Sequence, residues 1–439
     1  MTPRSSPPAL DSFSPLSASA QDANDTADRG ANHATVAPNI PAAPGAVIPS
    51  VTATSPILGT YKRQAPLFVR GEGVYMIDES GNRYLDFVAG IAVSALGHAD
   101  AGVTNAMREA IETGLIHTSN LYRTAPGEAL AAWLVEHSFA SKVFFANSGA
   151  EANEGAFKFA RRWARTTGHA AKHEIIALRG AFHGRMPGTL AATDRPAYRL
   201  PFRPLMGGVT IVERDLDELR TVLNSETAAA VIVEPIQGEG GMRVVDPEFL
   251  RGLRALTRER NVMLILDEIQ CGLGRTGSFF AYEDIGIEPD MLTIAKPLAN
   301  GLPMGAILVS AEIAATIQPG DHGTTFGGGP FIAHVAHHVV QRLADPAMLT
   351  HVQETGTWFR EQLHGIAERT GRVRAIRGKG LMWGMDTHEG AADIVARAFA
   401  GGLLLVTAGE HTLRFLPPLV ITRDELALGL AILEAAIAG

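Results

Sequence analysis

The stretch "VMLILDEIQCGLGRTG", Val262–Gly277, decides how the rest of the chain is read. An apolar run closes on Asp267 and Glu268, after which Gly272, Gly274 and Gly277 spell G-x-G-x-x-G, the letters of a dinucleotide-binding turn. That turn needs its first glycine at the strand end and a helix opening inside the motif. Here Asp267-Glu268-Ile269-Gln270 intervenes, and "SFFAYEDIGIEPD" beyond it has a poor helical stripe and a proline. Asp290 could serve as the ribose-binding acid, but an acid at that spacing is a weak signal. The glycines, and the lone Cys271 among them, therefore read as a tight loop. Asp267, at the end of a buried strand, becomes the informative residue.

Working outward, short apolar runs alternate with helical patterns. "KVFFANSGA" precedes a helix on which Ala152, Ala156, Phe159 or Ala160, and Trp163 share one face. "HEIIALRGAFHGR", "AAAVIVEPIQGEGG" and "DMLTIAKPLANG" are further strands ending in polar or glycine loops. Such a series predicts an α/β fold with a mainly parallel sheet covered by helices on both faces. Function in such sheets collects at the carboxyl ends of the strands. "GEGVYMIDESGNRYLDF" (Gly71–Phe87) reads as a hairpin. "RVRAIRGKGLMWGMDT", "GLLLVTAGEHTLRFLPPLVI" and a last helix boxed by Thr422 and Glu425 predict a small α+β domain. The expected division is a tail over 1–50, an N-terminal piece of the small domain over 51–95, a large domain over 96–330, and the rest of the small domain over 331–439.

The chain has 439 residues, 46% apolar and 19% charged, with net charge −8 and one cysteine. The acidic balance argues against nucleic acid as a partner. A single cysteine excludes an intrachain disulfide and fits a reducing compartment. No apolar run approaches the ~18 residues of a membrane span. The first 50 residues are Ser, Ala, Pro, Asn and Asp with few large apolar groups, a composition expected to be disordered. A mitochondrial transit peptide is the alternative for this tail, but it would be rich in Arg and poor in acids. Here Arg4 and Arg29 stand against Asp11, Asp22, Asp25 and Asp28. His98, His117, His183 and His322 are scattered without metal-ligand spacing, so no metal is expected; His183 reads as a hydrogen-bonding support.

Lys296 alone among the six lysines ends an apolar strand. Desolvation lowers a lysine's affinity for its proton and makes a nucleophilic amine suited to a Schiff base, although a lysine snorkelling from the strand end would look the same. A pyridoxal phosphate (PLP) enzyme needs such an amine, an acid at the pyridinium nitrogen, a phosphate cradle and a ring stack. Asp267 ends the strand before Lys296. Ser148, Gly149 and Ala150 precede or open a helix whose free N–H groups suit an anion, or form a plain N-cap. "DHGTTFGGGP" offers two hydroxyls and a glycine nest. "AFHGR" brings Phe182 and Arg185 together after a strand.

With "NSGAEANE", "FHGR", "EPIQGEGG", "LILDEIQCGLGRTG", "TIAKPLANGLPMGA", "HGTTFGG" and "LRFLPPLV" in this order over residues 57–439, the sequence resembles the class III PLP-dependent aminotransferases, and among them the acetylornithine group. The resemblance implies PLP-dependent transferase fold type I, a homodimer with shared active sites, and transamination of N2-acetyl-L-ornithine with 2-oxoglutarate. It implies that Lys296 carries the cofactor, Asp267 meets the pyridinium nitrogen, Gln270 the phenolic oxygen, and Phe182 the ring face. Ser148, Gly149 and Ala150 would bind the phosphate, with Thr325 reaching in from the other subunit. Arg185 would hold the substrate carboxylate near Thr324. Arg414 would take the α-carboxylate of glutamate or 2-oxoglutarate while Glu239 masks it for ω-amines, and Tyr61 would stand at the entrance.

Three positions depart from the wider family pattern. Ile91 stands where ornithine aminotransferases have tyrosine, Gly329 replaces a frequent Asn, and "GEHTLRF" is an unusual lead-in to the arginine. Other ω-amine donors (a lysine-pathway amine, succinyldiaminopimelate, ornithine, 4-aminobutyrate), an aminomutase, a PLP-binding regulator and an NAD-dependent oxidoreductase are the alternatives. The expected location is the cytoplasm, with the mitochondrial matrix as the other possibility.

Overall fold

The computed structural model describes residues 55–439, so the reading of the tail lies outside them. Of these, residues 55–64 fall in one unit and residues 65–439 in a second.

A seven-stranded sheet organises the second unit. Its strands are β1 (Lys142–Ala146), β2 (Glu174–Leu178), β3 (Val209–Val212), β4 (Ala228–Val233), β5 (Met263–Asp267), β6 (Met291–Ile294) and β7 (Gly305–Val309), in the order β1-β7-β6-β5-β4-β2-β3. β4, β5 and β6 are buried along their whole length, as expected of strands covered on both faces. β7 alone runs antiparallel, pairing with β1 and β6. Neither β7 nor β3 was anticipated from the sequence. Both are short apolar runs that periodicity cannot separate from buried helix.

Helix α1 (Gly149–Thr166) covers one face and buries Ala152, Ala156, Phe159, Ala160 and Trp163, the stripe expected for it. Ser148 caps it, its hydroxyl accepting from the Glu151 amide at 3.2 Å. A larger apolar cluster fills the other face and continues into the C-terminal elements. There, strands Val373–Lys379, Met382–Thr387, Thr412–Phe415 and Val406–Thr407 form a sheet in that order. Thr422 and Glu425 make the expected capping box of the last helix, Arg423–Ala438. The expected hairpin pairs Tyr75–Asp78 with Arg83–Asp86, and Leu403–Leu404 adds to it as a parallel edge.

The topology brings the carboxyl ends of β1, β2, β4, β5 and β6 to one edge of the sheet. Among the described residues no helix is long and apolar enough to cross a membrane.

Candidate active site

A cavity of about 360 Å³ opens at that edge. β1 delivers Asn147, Ser148, Gly149 and Ala150, β2 leads to Phe182, His183 and Arg185, and β4 leads to Glu234 and Glu239. β5 contributes Asp267 and Gln270, and β6 runs into Lys296. Nine of the residues singled out in the sequence thus line one cavity: Ser148, Gly149, Ala150, Phe182, Arg185, Glu239, Asp267, Gln270 and Lys296.

Asp267 is 4% exposed and held by three donors. Its Oδ2 accepts from Asn153 Nδ2 and pairs with His183 Nδ1, both at 2.8 Å, and its Oδ1 accepts from the Ile269 amide at 3.1 Å. Asn153 is itself fixed, accepting from Thr293 Oγ1 and donating to the His183 carbonyl. Three donors hold a carboxylate in one orientation facing the cavity. The supporting role read for His183 is what the geometry gives it. Asn153 was not singled out, because one polar residue on an otherwise apolar stripe carries no distinctive spacing.

Burial pushes the Lys296 ammonium below its ordinary value, and the Arg414 charge adds to this against the pull of Asp267, Glu239 and Glu234. The amine therefore sheds its proton more readily than an exposed lysine does. Burial also pushes the Glu234 carboxyl up. Glu234, which sequence reading passed over, accepts from the Phe182 amide at 2.8 Å and the Gly238 amide at 3.4 Å, tying the β2 and β4 loops together.

Glu239 and Arg414 meet as an ion pair at 2.5 Å. Arg414 is 3% exposed and lies behind Glu239 rather than on the cavity wall. Arg185, one of the lining residues, sets its guanidinium carbon 3.4 Å from the Tyr198 ring centre.

Three of the singled-out residues stand elsewhere. The Thr324 hydroxyl accepts from Asn147 Nδ2 at 2.9 Å, one residue removed from the cavity. Thr325 lines a separate small cleft with His117 and Tyr122. Tyr61 belongs to the unit ending at residue 64 and is exposed.

The glycine pattern forms turns and opens no helix: Gly274 and Gly277 have φ of +88° and +94°, and a Cβ on Gly272 would lie 2.9 Å from the Glu268 carbonyl oxygen. Cys271 is buried there, its thiol pushed well up by desolvation, so it is no nucleophile.

The wall fits PLP on grounds internal to the structure. Gln270 Oε1 is buried with no partner, and a Cβ on Gly238 would fall 1.9 Å from it, so this side chain is given room but no protein bond. Gly149, at the opening of α1, is packed against Ile269, leaving the first helical amides bare toward the cavity.

The description "Aminotransferase class-III" matches residues 60–437. The chain belongs to the class III aminotransferases. An acetylornithine aminotransferase from Gloeobacter violaceus is 47% identical over 87% of this chain and 96% of its own. The crystal structure of N-acetylornithine aminotransferase from Stenotrophomonas maltophilia is 39% identical with a TM-score of 0.76, covering 86% of this chain and 96% of that one. An ornithine aminotransferase from Toxoplasma gondii with PLP at partial occupancy is 30% identical with a TM-score of 0.82, covering 87% and 92%. The chain is therefore a transaminase of fold type I, and PLP is its cofactor.

Proposed function

We propose that the chain transfers the terminal amine of N2-acetyl-L-ornithine to 2-oxoglutarate, giving N-acetylglutamate 5-semialdehyde and glutamate, a step of arginine biosynthesis. The observation that carries this reading is the Glu239–Arg414 pair beside Asp267 and Lys296. Two carboxylate-bearing substrates must share one site, and an arginine with its own carboxylate cover can be presented to one and hidden from the other. The 47% identity to an acetylornithine aminotransferase supports the same donor.

In this reading Lys296 Nζ would hold the cofactor, Asp267 would meet its ring nitrogen, Gln270 would supply a polar contact at the ring edge, and Phe182 would cover the ring. Ser148, Gly149 and Ala150 receive the phosphate at the opening of α1. When bound, PLP withdraws electrons from the substrate carbon that bears the amine. Lys296 Nζ, freed when the donor's amine takes its place, would take the proton from that carbon and deliver it to the cofactor's former aldehyde carbon, for which its lowered proton affinity suits it. Arg185 holds the distal carboxylate of the acetylated donor.

Thr324 and Thr325 act in a homodimer, Thr325 completing the phosphate site of a second copy. Support comes from the apolar surface around them: Leu121 is 88% exposed, Tyr122 71% and Phe326 63%. The pairing of Leu403–Leu404 with Arg83–Asp86 supports assigning residues 51–95 and 331–439 to one small domain beside a large domain of 96–330. The cytoplasm is the proposed location.

Mixing the purified holoenzyme separately with acetylornithine, ornithine, 4-aminobutyrate and N-succinyldiaminopimelate, and following loss of the cofactor's long-wavelength absorbance, tests the donor. Acetylornithine should react with the highest kcat/KM; a faster reaction with any of the others overturns the assignment.

A further inference from the structure

The loop that carries Glu239 is docked on the C-terminal sheet at three points that lie in one row. Across that sheet Arg377 is registered opposite Gly384, and Gly384 opposite Arg414. Directly opposed residues of antiparallel strands project to the same face, so the two arginines flank a bare glycine. Glu239 sits on Arg414 at 2.5 Å. The Gly241 carbonyl accepts from Arg377 Nε at 2.5 Å. Met242 covers Gly384, where an added Cβ would lie 2.7 Å from the Met242 Cβ.

The loop is shaped for this seat: Gly241 has φ +100° and Met242 φ +56°, the second a conformation that a side chain adopts only at a cost. Arg377 is in turn rigid. Both of its terminal nitrogens donate to Asp386, at 2.7 and 2.8 Å, and Thr412 Oγ1 donates to the same carboxylate at 2.5 Å. Burial opposes the Asp386 charge, but the bonds from Arg377 and Thr412 hold the carboxyl below its usual range, so the clamp stays ionised at neutral pH. Thr412 stands two residues before Arg414 on one strand, so the clamp and the substrate arginine move as one body.

We infer that Arg377 is a positioning residue for substrate selection: by gripping the Gly241 carbonyl it latches the loop in the register that places Glu239 over Arg414. This rests on reading Glu239 and Arg414 as the cover and the carboxylate site. With the latch weakened, Glu239 leaves Arg414 more often, the dicarboxylate-binding form gains population, and the form that accepts the ω-amine loses it.

Arg377→Lys keeps a charge for Asp386 but lacks the fork that reaches both partners, and Arg377→Met removes the grip entirely. The two half-reactions are measured separately by single-turnover absorbance on the holoenzyme, and binding of glutarate, a dicarboxylate without the reactive keto group, by calorimetry. In both variants kcat/KM for acetylornithine should fall about tenfold, while kcat/KM for glutamate rises and glutarate binds tighter by a similar several-fold factor, since both need the uncovered arginine. In a Glu239→Gln background the same substitutions should add nothing to the ratio, because the latch acts through Glu239.

Parallel loss in both half-reactions, or unchanged glutarate affinity in Arg377→Lys while Glu239→Gln tightens it, overturns the latch but leaves the cover intact. If Glu239→Gln itself moves neither the ratio nor glutarate affinity, the cover reading fails and the latch falls with it.

Discussion

The two walls of the cavity are built on different principles. Strand ends supply the first: Asp267, Gln270 and Lys296 follow adjacent parallel strands whose backbones are locked in register and buried on both faces. A loop seated on another sheet supplies the second: it carries Glu239 to the cavity and is held from behind by an ion pair to Arg414, 175 positions away. The first wall has little freedom to rearrange. The second has two left-handed backbone positions and contacts that can open one at a time. Groups that act on every substrate are kept on the rigid wall, while those that choose between substrates are kept on the movable one.

The contrast predicts how variants divide. Changes in the strand-end wall should depress both half-reactions together, and changes in the gate should separate them. The largest effect belongs to Lys296→Ala, which removes both the attachment point and the proton-moving amine. Turnover should fall by at least about 10⁴-fold with either substrate. Single-turnover rates for acetylornithine and for glutamate check this, and retention of either half-reaction would break the division between the walls.

Asp267→Asn comes next. Asn153 and His183 would then lose a carboxylate acceptor, and the ring nitrogen would face a neutral amide. Both half-reactions should slow by about 10²–10³-fold to a similar extent. A selective loss in one of them would mean that the rigid wall also discriminates between substrates.

The same contrast governs what could be read from the sequence. Asp267 and Lys296 were legible because each closes an apolar run, and a polar residue at a buried strand end stands out against its neighbours. The glycine pattern after Asp267 was legible as turns for the same reason: no helical stripe followed it. Asn153 and Glu234 were not, since their partners are backbone atoms and side chains of other strands, a relation that exists only after the sheet forms. Arg377 was equally silent, because its meaning depends on a cross-strand register with Arg414. The left-handed run from Ala89 to Ala92, just before the cavity residue Val93, also escaped notice. Its residues are small or apolar, and the local turn bonds that hold it, Asp86 Oδ1 accepting from the Val88 and Ala89 amides among them, leave no distinctive composition.

The smallest effect concerns Glu268, the neighbour of Asp267 on the rigid wall. One residue's step along the strand points it away from the cavity, under the turn that follows. There it is fully buried and accepts from the Ala281 and Tyr282 amides at 2.6 and 2.8 Å. With no cation beside it, desolvation pushes its carboxyl up to about 8. The folded protein then binds a proton that the unfolded chain releases near the ordinary carboxylate value. Stability from this group is complete at acidic pH and is lost as pH rises toward 8, by up to about 1.4 kcal/mol per pH unit. Glu268→Gln cannot titrate, so it should be less stable than the parent at pH 6, where one of the two amides loses its acceptor. The gap should narrow at pH 8, as the parent alone loses ground. Glu234 is common to both proteins and cancels in the comparison. Denaturant unfolding of both proteins at the two pH values measures the gap. A gap equal at pH 6 and pH 8 would show Glu268 ionised in the fold, and the rigid wall would then carry two adjacent buried charges rather than one.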